Sequence, residues 1–361
     1  MPKLGISIYP EKSTFEQDQT YLDLAHQYGY KRVFTSLLQI AGDKDAVIDQ
    51  FTKTVKYAGS LGMEVMVDIA PHLFEQLGIS YDDLSFFKEM GAYGIRLDVG
   101  YTGSEEARMT RNPYDLKIEI NMSAGTKYVE QIMAYSPNKD NLLGSHNFYP
   151  MEYTGLDDHF FVSCSEDYRK HNLNTAAFVS AQTATFGPWS TCDGLSTLEA
   201  HRYLPIKTQI KHLKLTGLID DILIGNAYAS EEELKVASEA FYAKQPELKV
   251  ILNENATSIE EKIVYHEMHS YRGDRSAYML RSTMTRVKYA DEDFPAHDTV
   301  DAKRGDVIVC NNELGRYNGE LQIALKNMKN KGRFNIVGQI ADEELVLLSF
   351  IKPWSTFKLV K

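Results

Sequence analysis

The stretch "GIRLDVG" (94–100) decides the fold. Three branched apolar residues, Ile95, Leu97 and Val99, alternate with Arg96 and Asp98, and a glycine closes each end. Successive side chains of a strand point to opposite faces, so the apolar residues share one side and the two charges the other. Such a strand suits a closed parallel barrel. There the outer face packs on helices, while the inner face is core at the bottom and active site at the C-terminal ends of the strands. Asp98 is then expected near the top.

Seven further runs extend the pattern: "KLGISIYP" (3–10), "RVFTSLL" (32–38), "EVMVDIAP" (64–71), "KIEINMS" (117–123), "LLGSHNFYP" (142–150), "NTAAFVS" (174–180) and "DDILIGN" (220–226). Amphipathic segments lie between them. One, "STFEQDQTYLDLAHQYG", carries Ser13 as N-cap, Glu16 to complete a capping box and Gly29 as stop. Eight strand–helix repeats predict an α/β fold, a (β/α)8 TIM barrel over residues 1–248. The alternative, an open doubly wound sheet, lacks a glycine-rich dinucleotide fingerprint after the first strand. Beyond residue 248 the helical spacing fades. Runs such as "GDVIVCNN" and "FNIVGQI" alternate with turn signals such as "KRGD" and "RYNG". Residues 249–361 therefore read as a small, mostly antiparallel β domain, expected to be a closed barrel. The helical piece 257–270 is expected as the hinge between the two.

The strand ends carry the candidate chemistry. Asp68 closes the third strand, Asp98 the fourth, and Glu119 and Asn121 share a face of the fifth. His146 and Asn147 end the sixth, with Tyr149 and Glu152 beyond; Tyr9 and Glu11 follow the first; Ser180 ends the seventh and Asn226 the eighth. Any one of these could be an ordinary loop residue. Several carboxylates converging on one inner face are costly to bury without use, at several kcal/mol each. An acid–base pair is the economical reading. Arg96 beside Asp98 suits the latter as base, nucleophile or orienter. Glu119, flanked by Ile118 and Ile120 with no neighbouring cation in sequence, suits the general acid. Asp68, Glu152 and Glu11 are the reserves. Metal binding by Asp68, His72, Asp98, Glu119 and His146 has no HExxH or close histidine pair behind it, and no metal or cofactor is expected. Trp189, in the long loop after the seventh strand, could stack on a sugar ring. Arginines cluster in "HSYRGDRSAYMLRSTMTRVK" (269–288), where Arg272, Arg275, Arg281 and Arg286 read as an anion clamp.

Composition bounds the partners. The 361 residues carry 39 Lys and Arg against 50 Asp and Glu, a formal net charge of −11. Nucleic acid and anionic membranes are poor partners for such a chain. The three cysteines are scattered and form no CxxC pair, and the N-terminus enters a strand pattern at once. A reducing, cytoplasmic setting is expected.

Four segments together resemble a known family: "LGISIYPEKSTFEQDQTYLDLAHQYGYKRVFTSLL" (4–38), "GIRLDVG", "HNFYPMEYTGL" (146–156) and the late "RGDV…N…GRYNGELQI" (304–323). The combination is similar to the bacterial 6-phospho-N-acetylmuramidases. The resemblance implies a TIM barrel followed by a cyclophilin-like β domain. It also implies a cytoplasmic glycosidase of peptidoglycan recycling, acting on a disaccharide of 6-phospho-N-acetylmuramic acid and N-acetylglucosamine. Two other functions compete on the same residues. One is a metal-dependent sugar-phosphate isomerase or aldolase; the other is a carbohydrate-binding protein without turnover.

Overall fold

The computed structural model describes residues 1–37, 44–70, 73–74 and 77–361. His72 lies outside the described residues. The chain forms two compact units, Met1–Tyr242 and Ala243–Lys361.

In the first unit eight strands close into a parallel barrel: β1 (Leu4–Ile8), β2 (Arg32–Leu37), β3 (Glu64–Ile69), β4 (Gly94–Leu97), β5 (Lys117–Asn121), β6 (Leu142–Ser145), β7 (Asn174–Val179) and β8 (Asp221–Ile224). Every neighbouring pair is parallel, and β8 returns to pair with β1. Each strand is followed by a helix: α1 (Phe15–Gln27), α2 (Lys44–Ser60), α3 (Ser85–Met90), α4 (Ser104–Met109), α5 (Tyr128–Ala134), α6 (Asp158–Arg169), α7 (Ile206–Thr216) and α8 (Glu231–Tyr242). The outward residues build the core between strands and helices. Ile6, Val33, Val67, Ile95, Leu97, Ile118 and Ile222 are fully buried in it. Each such side chain contributes about 1.5–3 kcal/mol by leaving water.

Both glycines of the opening stretch have a steric reason. A Cβ at Gly94 would lie 2.4 Å from the Lys117 carbonyl oxygen, and one at Gly100 would lie 1.7 Å from the Tyr128 hydroxyl. Strand β4 ends at Leu97, however, so Asp98 sits on the bend beyond it and Val99 is exposed rather than packed. The cap of α1 also differs by one residue from expectation. Thr14 and Gln17 form the capping box, because Ser13 Oγ is committed to the Tyr9 carbonyl and to Asp18. Gly29 follows the helix at φ +81°, as its stop signal requires.

The second unit contains β9 (Glu247–Leu252), α9 (Ser258–His266), β10 (His269–Ser270), β11 (Met279–Ser282), α10 (Met284–Lys288), β12 (Asp306–Cys310), β13 (Leu321–Ala324), β14 (Phe334–Ile340) and β15 (Thr356–Val360). Its strands form one sheet in the order β10-β15-β9-β14-β12-β13-β11. All pairs are antiparallel except β15 with β9. The expected closed antiparallel barrel is thus a nearly closed mixed sheet. Its two edges meet through the Arg272 N–H, which donates to the Arg281 carbonyl at 2.9 Å. The piece expected as a hinge is α9 plus β10, and both lie inside the second unit.

Candidate active site

Strand alternation turns Ser36, Asp68, Arg96 and Ser145 into the barrel near the C-terminal ends of β2, β3, β4 and β6. Arg96 is the centre of this group. Its Nε donates to Ser145 Oγ at 2.8 Å, one Nη to Asp68 Oδ1 at 2.7 Å, and the other Nη to Asn147 Oδ1. The Asp98 carboxylate lies 3.7 Å from the same Nη that holds Asp68. Arg96 and Asp68 are buried, whereas the Asp98 side chain is 39% exposed. Burying this guanidinium is tolerable because each face of it meets an acceptor. Burial pushes the Asp68 carboxyl up to about 6; Arg96 pulls against the shift and Asp98 adds to it.

These groups open onto a cavity that also takes in Phe34, Phe148, Phe178, Pro188 and Trp189. Phe178 meets Phe34 and Phe148 edge-on, with ring centroids 5.2 and 5.1 Å apart, and so makes an aromatic floor. Pro188 and Trp189 come from the long loop after β7, and Lys12 Nζ donates to the Pro188 carbonyl. That loop is built, not loose. Arg202, fully buried, binds the Glu199 carboxylate at 2.7 Å and the carbonyls of Tyr149 and Asp193 at 3.0 and 3.2 Å. The Arg202 hydrogen bond pulls the Glu199 carboxyl down to about 2.

A second ion cluster lies in the same barrel. Arg32, the first residue of β2, reaches Glu119 with one Nη and Asp221 with the other, the latter at 2.7 Å. The three side chains are at most 3% exposed. Glu119 has no neighbouring cation in sequence, but the fold supplies one: Arg32 pairs with it, and Arg96 stands beside it in strand register.

The remaining candidates fall into three groups. Asn147 and Trp189 join Asp68, Asp98 and Arg96 at the cavity. Others serve the scaffold. His146 points outward to α6, its ring nitrogens 3.1 Å from Ser123 Oγ and 2.9 Å from Ser165 Oγ, and its ring packs on Phe161. It was expected to touch substrate, but on β6 it alternates with Ser145 and Asn147 and so faces the other way. Burial, with Arg96 adding, pushes it down to about 3. Tyr9 is fully buried, with its hydroxyl on the Gly225 carbonyl. Ser180 Oγ accepts from the Leu195 N–H, and Asn226 clamps Ala181 and Ala184 through their backbones. These three are loop anchors. The third group is peripheral to the described cavity. Asn121 Oδ1 holds the Ser123 N–H and lines a separate small cleft with Cys164 and Asp167. Tyr149 and Glu152 meet the β7 loop through their backbone N–H groups, and Glu11 is half-buried, its carboxyl pushed up by desolvation. Arg272, Arg275 and Arg281 belong to the second unit, where Arg272 pairs with Asp274 and Arg281 with Glu320. Sequence reasoning missed Arg32, Ser145, Arg202 and the Phe34–Phe148–Phe178 floor. Among the described residues no three His, Cys, Asp or Glu side chains gather as metal ligands would.

A parallel β/α barrel with two carboxylates on one guanidinium, beside an aromatic floor, has the parts that a barrel enzyme acting on a sugar would use. The comparisons give the family. The N-terminal 6-phospho-N-acetylmuramidase family model matches residues 4–239 and the C-terminal one residues 246–360. The chain belongs to the 6-phospho-N-acetylmuramidase family and is a glycosidase. Among solved structures, an uncharacterized B. cereus protein is 48% identical over 100% of this chain and 99% of its own, with a TM-score of 0.89. A conserved Enterococcus faecalis protein of unknown function is 26% identical over 99% and 96%, with a TM-score of 0.72. No curated protein matches the chain.

Proposed function

We propose that the chain hydrolyses the glycosidic bond between 6-phospho-N-acetylmuramic acid and N-acetylglucosamine, as a cytoplasmic step of cell-wall recycling, with Asp68 as general acid. The observation that carries the assignment is the shared Arg96 nitrogen, which holds the Asp68 and Asp98 carboxylates at 2.7 and 3.7 Å in one cavity. Asp68 then replaces Glu119 in the acid role. A buried carboxyl near 6 can give a proton to a leaving oxygen at a mildly acidic or neutral pH. Asp98, the more open of the two, is assigned to the sugar side, as nucleophile or as orienter of the substrate's N-acetyl group. The separation of the two carboxyl groups decides the stereochemistry, about 5 Å suiting retention and roughly 6.5–9.5 Å inversion. Trp189 and the aromatic floor supply apolar faces for a sugar ring. The nearly closed sheet of the second unit supports the cyclophilin-like reading of that region.

The test is incubation of purified protein with the phosphorylated disaccharide and with its dephosphorylated counterpart, each with and without a chelator. Release of N-acetylglucosamine from the phosphorylated substrate, indifferent to chelator, is the expected result. Loss of turnover with chelator returns the metal-dependent reading, and tight product binding without turnover returns the binding-protein reading. Asp98→Asn is expected to be impaired on every glycoside, whatever its leaving group.

A further inference from the structure

The second unit gathers three guanidinium groups around one aromatic ring. Arg286 of α10 lies with its guanidinium carbon 4.7 Å from the centre of the Tyr317 ring, Arg316 at 5.2 Å and Arg281 of β11 at 5.8 Å. One carboxylate serves the group. Glu320, whose side chain is fully buried, takes two hydrogen bonds from Arg281, at 2.7 and 3.2 Å. An Arg286 Nη lies 3.2 Å from its second oxygen but makes no hydrogen bond. Arg316 is exposed and forms no ion pair among the described residues. Neighbouring Arg272 is neutralised by Asp274 and adds no net charge.

Further contacts hold the Glu320 end of the cluster. Gln322 faces Arg281 across the β11–β13 ladder and donates to Glu320 at 2.9 Å, and the Leu321 N–H donates to Thr285 Oγ1 at the start of α10. Like charges gathered on one ring repel, and a cation–π contact of about 0.5–2 kcal/mol does not by itself explain three of them. A chain with eleven surplus negative charges has carboxylates to spare, yet among the described residues only Glu320 forms an ion pair with these three guanidiniums, Asp274 near Arg281 being the partner of Arg272. The local excess of two positive charges matches a phosphomonoester dianion, and the guanidinium fork matches its oxygens.

We infer that Arg281, Arg286 and Arg316, set around Tyr317 beside the buried Glu320, form an anion site that takes a phosphomonoester. The buried Glu320 fixes Arg281 in orientation through two hydrogen bonds and lies beside Arg286 as an ion pair, and the partly exposed remainder of those guanidiniums, with Arg316, faces the ligand. The site rests on this cluster alone and stands whether or not Asp68 and Asp98 hold their assigned roles.

The test titrates inorganic phosphate into the full chain by calorimetry, with Arg316→Ala and Arg286→Gln alongside. Arg316 is exposed, so its variant folds even where Arg286→Gln does not. Losing one charge-assisted contact is expected to weaken phosphate binding about tenfold or more in each variant. Absence of binding to the unaltered chain, or binding equal in all three proteins, overturns the inference. Kinetics then separate two sources of the same chemistry. A raised KM for the phosphorylated disaccharide in both variants, with kcat kept, identifies the substrate's own phosphate. An unchanged KM, with phosphate altering the rate of the unaltered chain only, identifies a free phosphorylated effector.

Discussion

Two buried ion clusters share the barrel, and they differ in one respect that matters. Arg32 with Glu119 and Asp221 is sealed, every side chain at most 3% exposed. Arg96 with Asp68 and Asp98 opens onto a cavity, and Asp98 stands 39% exposed. Both clusters satisfy the rule that a buried charge must be paired. Pairing alone therefore says nothing about catalysis. Access bears on it: a carboxyl that gives a proton must meet the atom receiving it, and of the two clusters it is the Arg96 one that lines the cavity.

The largest effect expected of this difference is on stability. Arg32→Leu strands Glu119 and Asp221 in the barrel without their cation. It should cost about 3–5 kcal/mol in chemical denaturation, with the activity of the molecules still folded unchanged. Lost activity in a fully folded variant would erase the distinction between the clusters. Glu119→Gln keeps the shape and leaves Arg32 with Asp221. A loss of about 1–3 kcal/mol is expected, with kcat/KM on the natural disaccharide within about twofold of normal.

The pH profile sharpens the comparison. Burial holds the Asp68 carboxyl at about 6, and the proposed acid role needs it protonated, so activity is expected below that pH and is expected to be lost as pH rises through it. The alkaline limb of kcat/KM should fall about tenfold per pH unit above 6 and be absent from Asp68→Asn. A limb that persists in that variant belongs to another group. The smallest effect concerns His146. It is neutral in the fold down to about 3, whereas an unfolded histidine takes its proton near 6.5. Its contribution is complete above 6.5 and is lost as pH falls towards 3. At pH 5.5 the loss is about 1 kcal/mol, and His146→Gln should flatten that part of the stability profile. An unchanged profile would place the ring in contact with solvent.

Much of this is legible in the amino-acid sequence. Each of the eight apolar runs contains one barrel strand, because a strand buried on its outer face declares itself by alternation. Arg96, Asp68, Asp98 and Asn147 stood out for the same reason: they are the polar members of that alternation, at or near the strand ends. Glu119 stood out equally, and sequence could not tell its layer from theirs. Its cation is 87 residues away, and the second partner of that cation is 189 away, joined only by closure of the barrel. His146 misled because β6 ends at Ser145 while its alternation continues, so a residue placed at the strand end still faces the helices. The aromatic floor was invisible for a simpler reason. Phe34 and Phe178 look like ordinary core residues, and only the inward turn of their strands makes them a surface for ligand.

The central claim is that the open cluster, not the sealed one, supplies the proton. Single-turnover rates of Asp68→Asn and Glu119→Gln, on the natural disaccharide and on an aryl glycoside whose leaving group needs no proton, test it directly. Asp68→Asn should lose about 10²–10⁴-fold on the disaccharide and keep most of its rate on the aryl substrate, while Glu119→Gln matches the unaltered chain on both. Equal impairment of Asp68→Asn on the two substrates, or the proton-dependent pattern in Glu119→Gln, would contradict it.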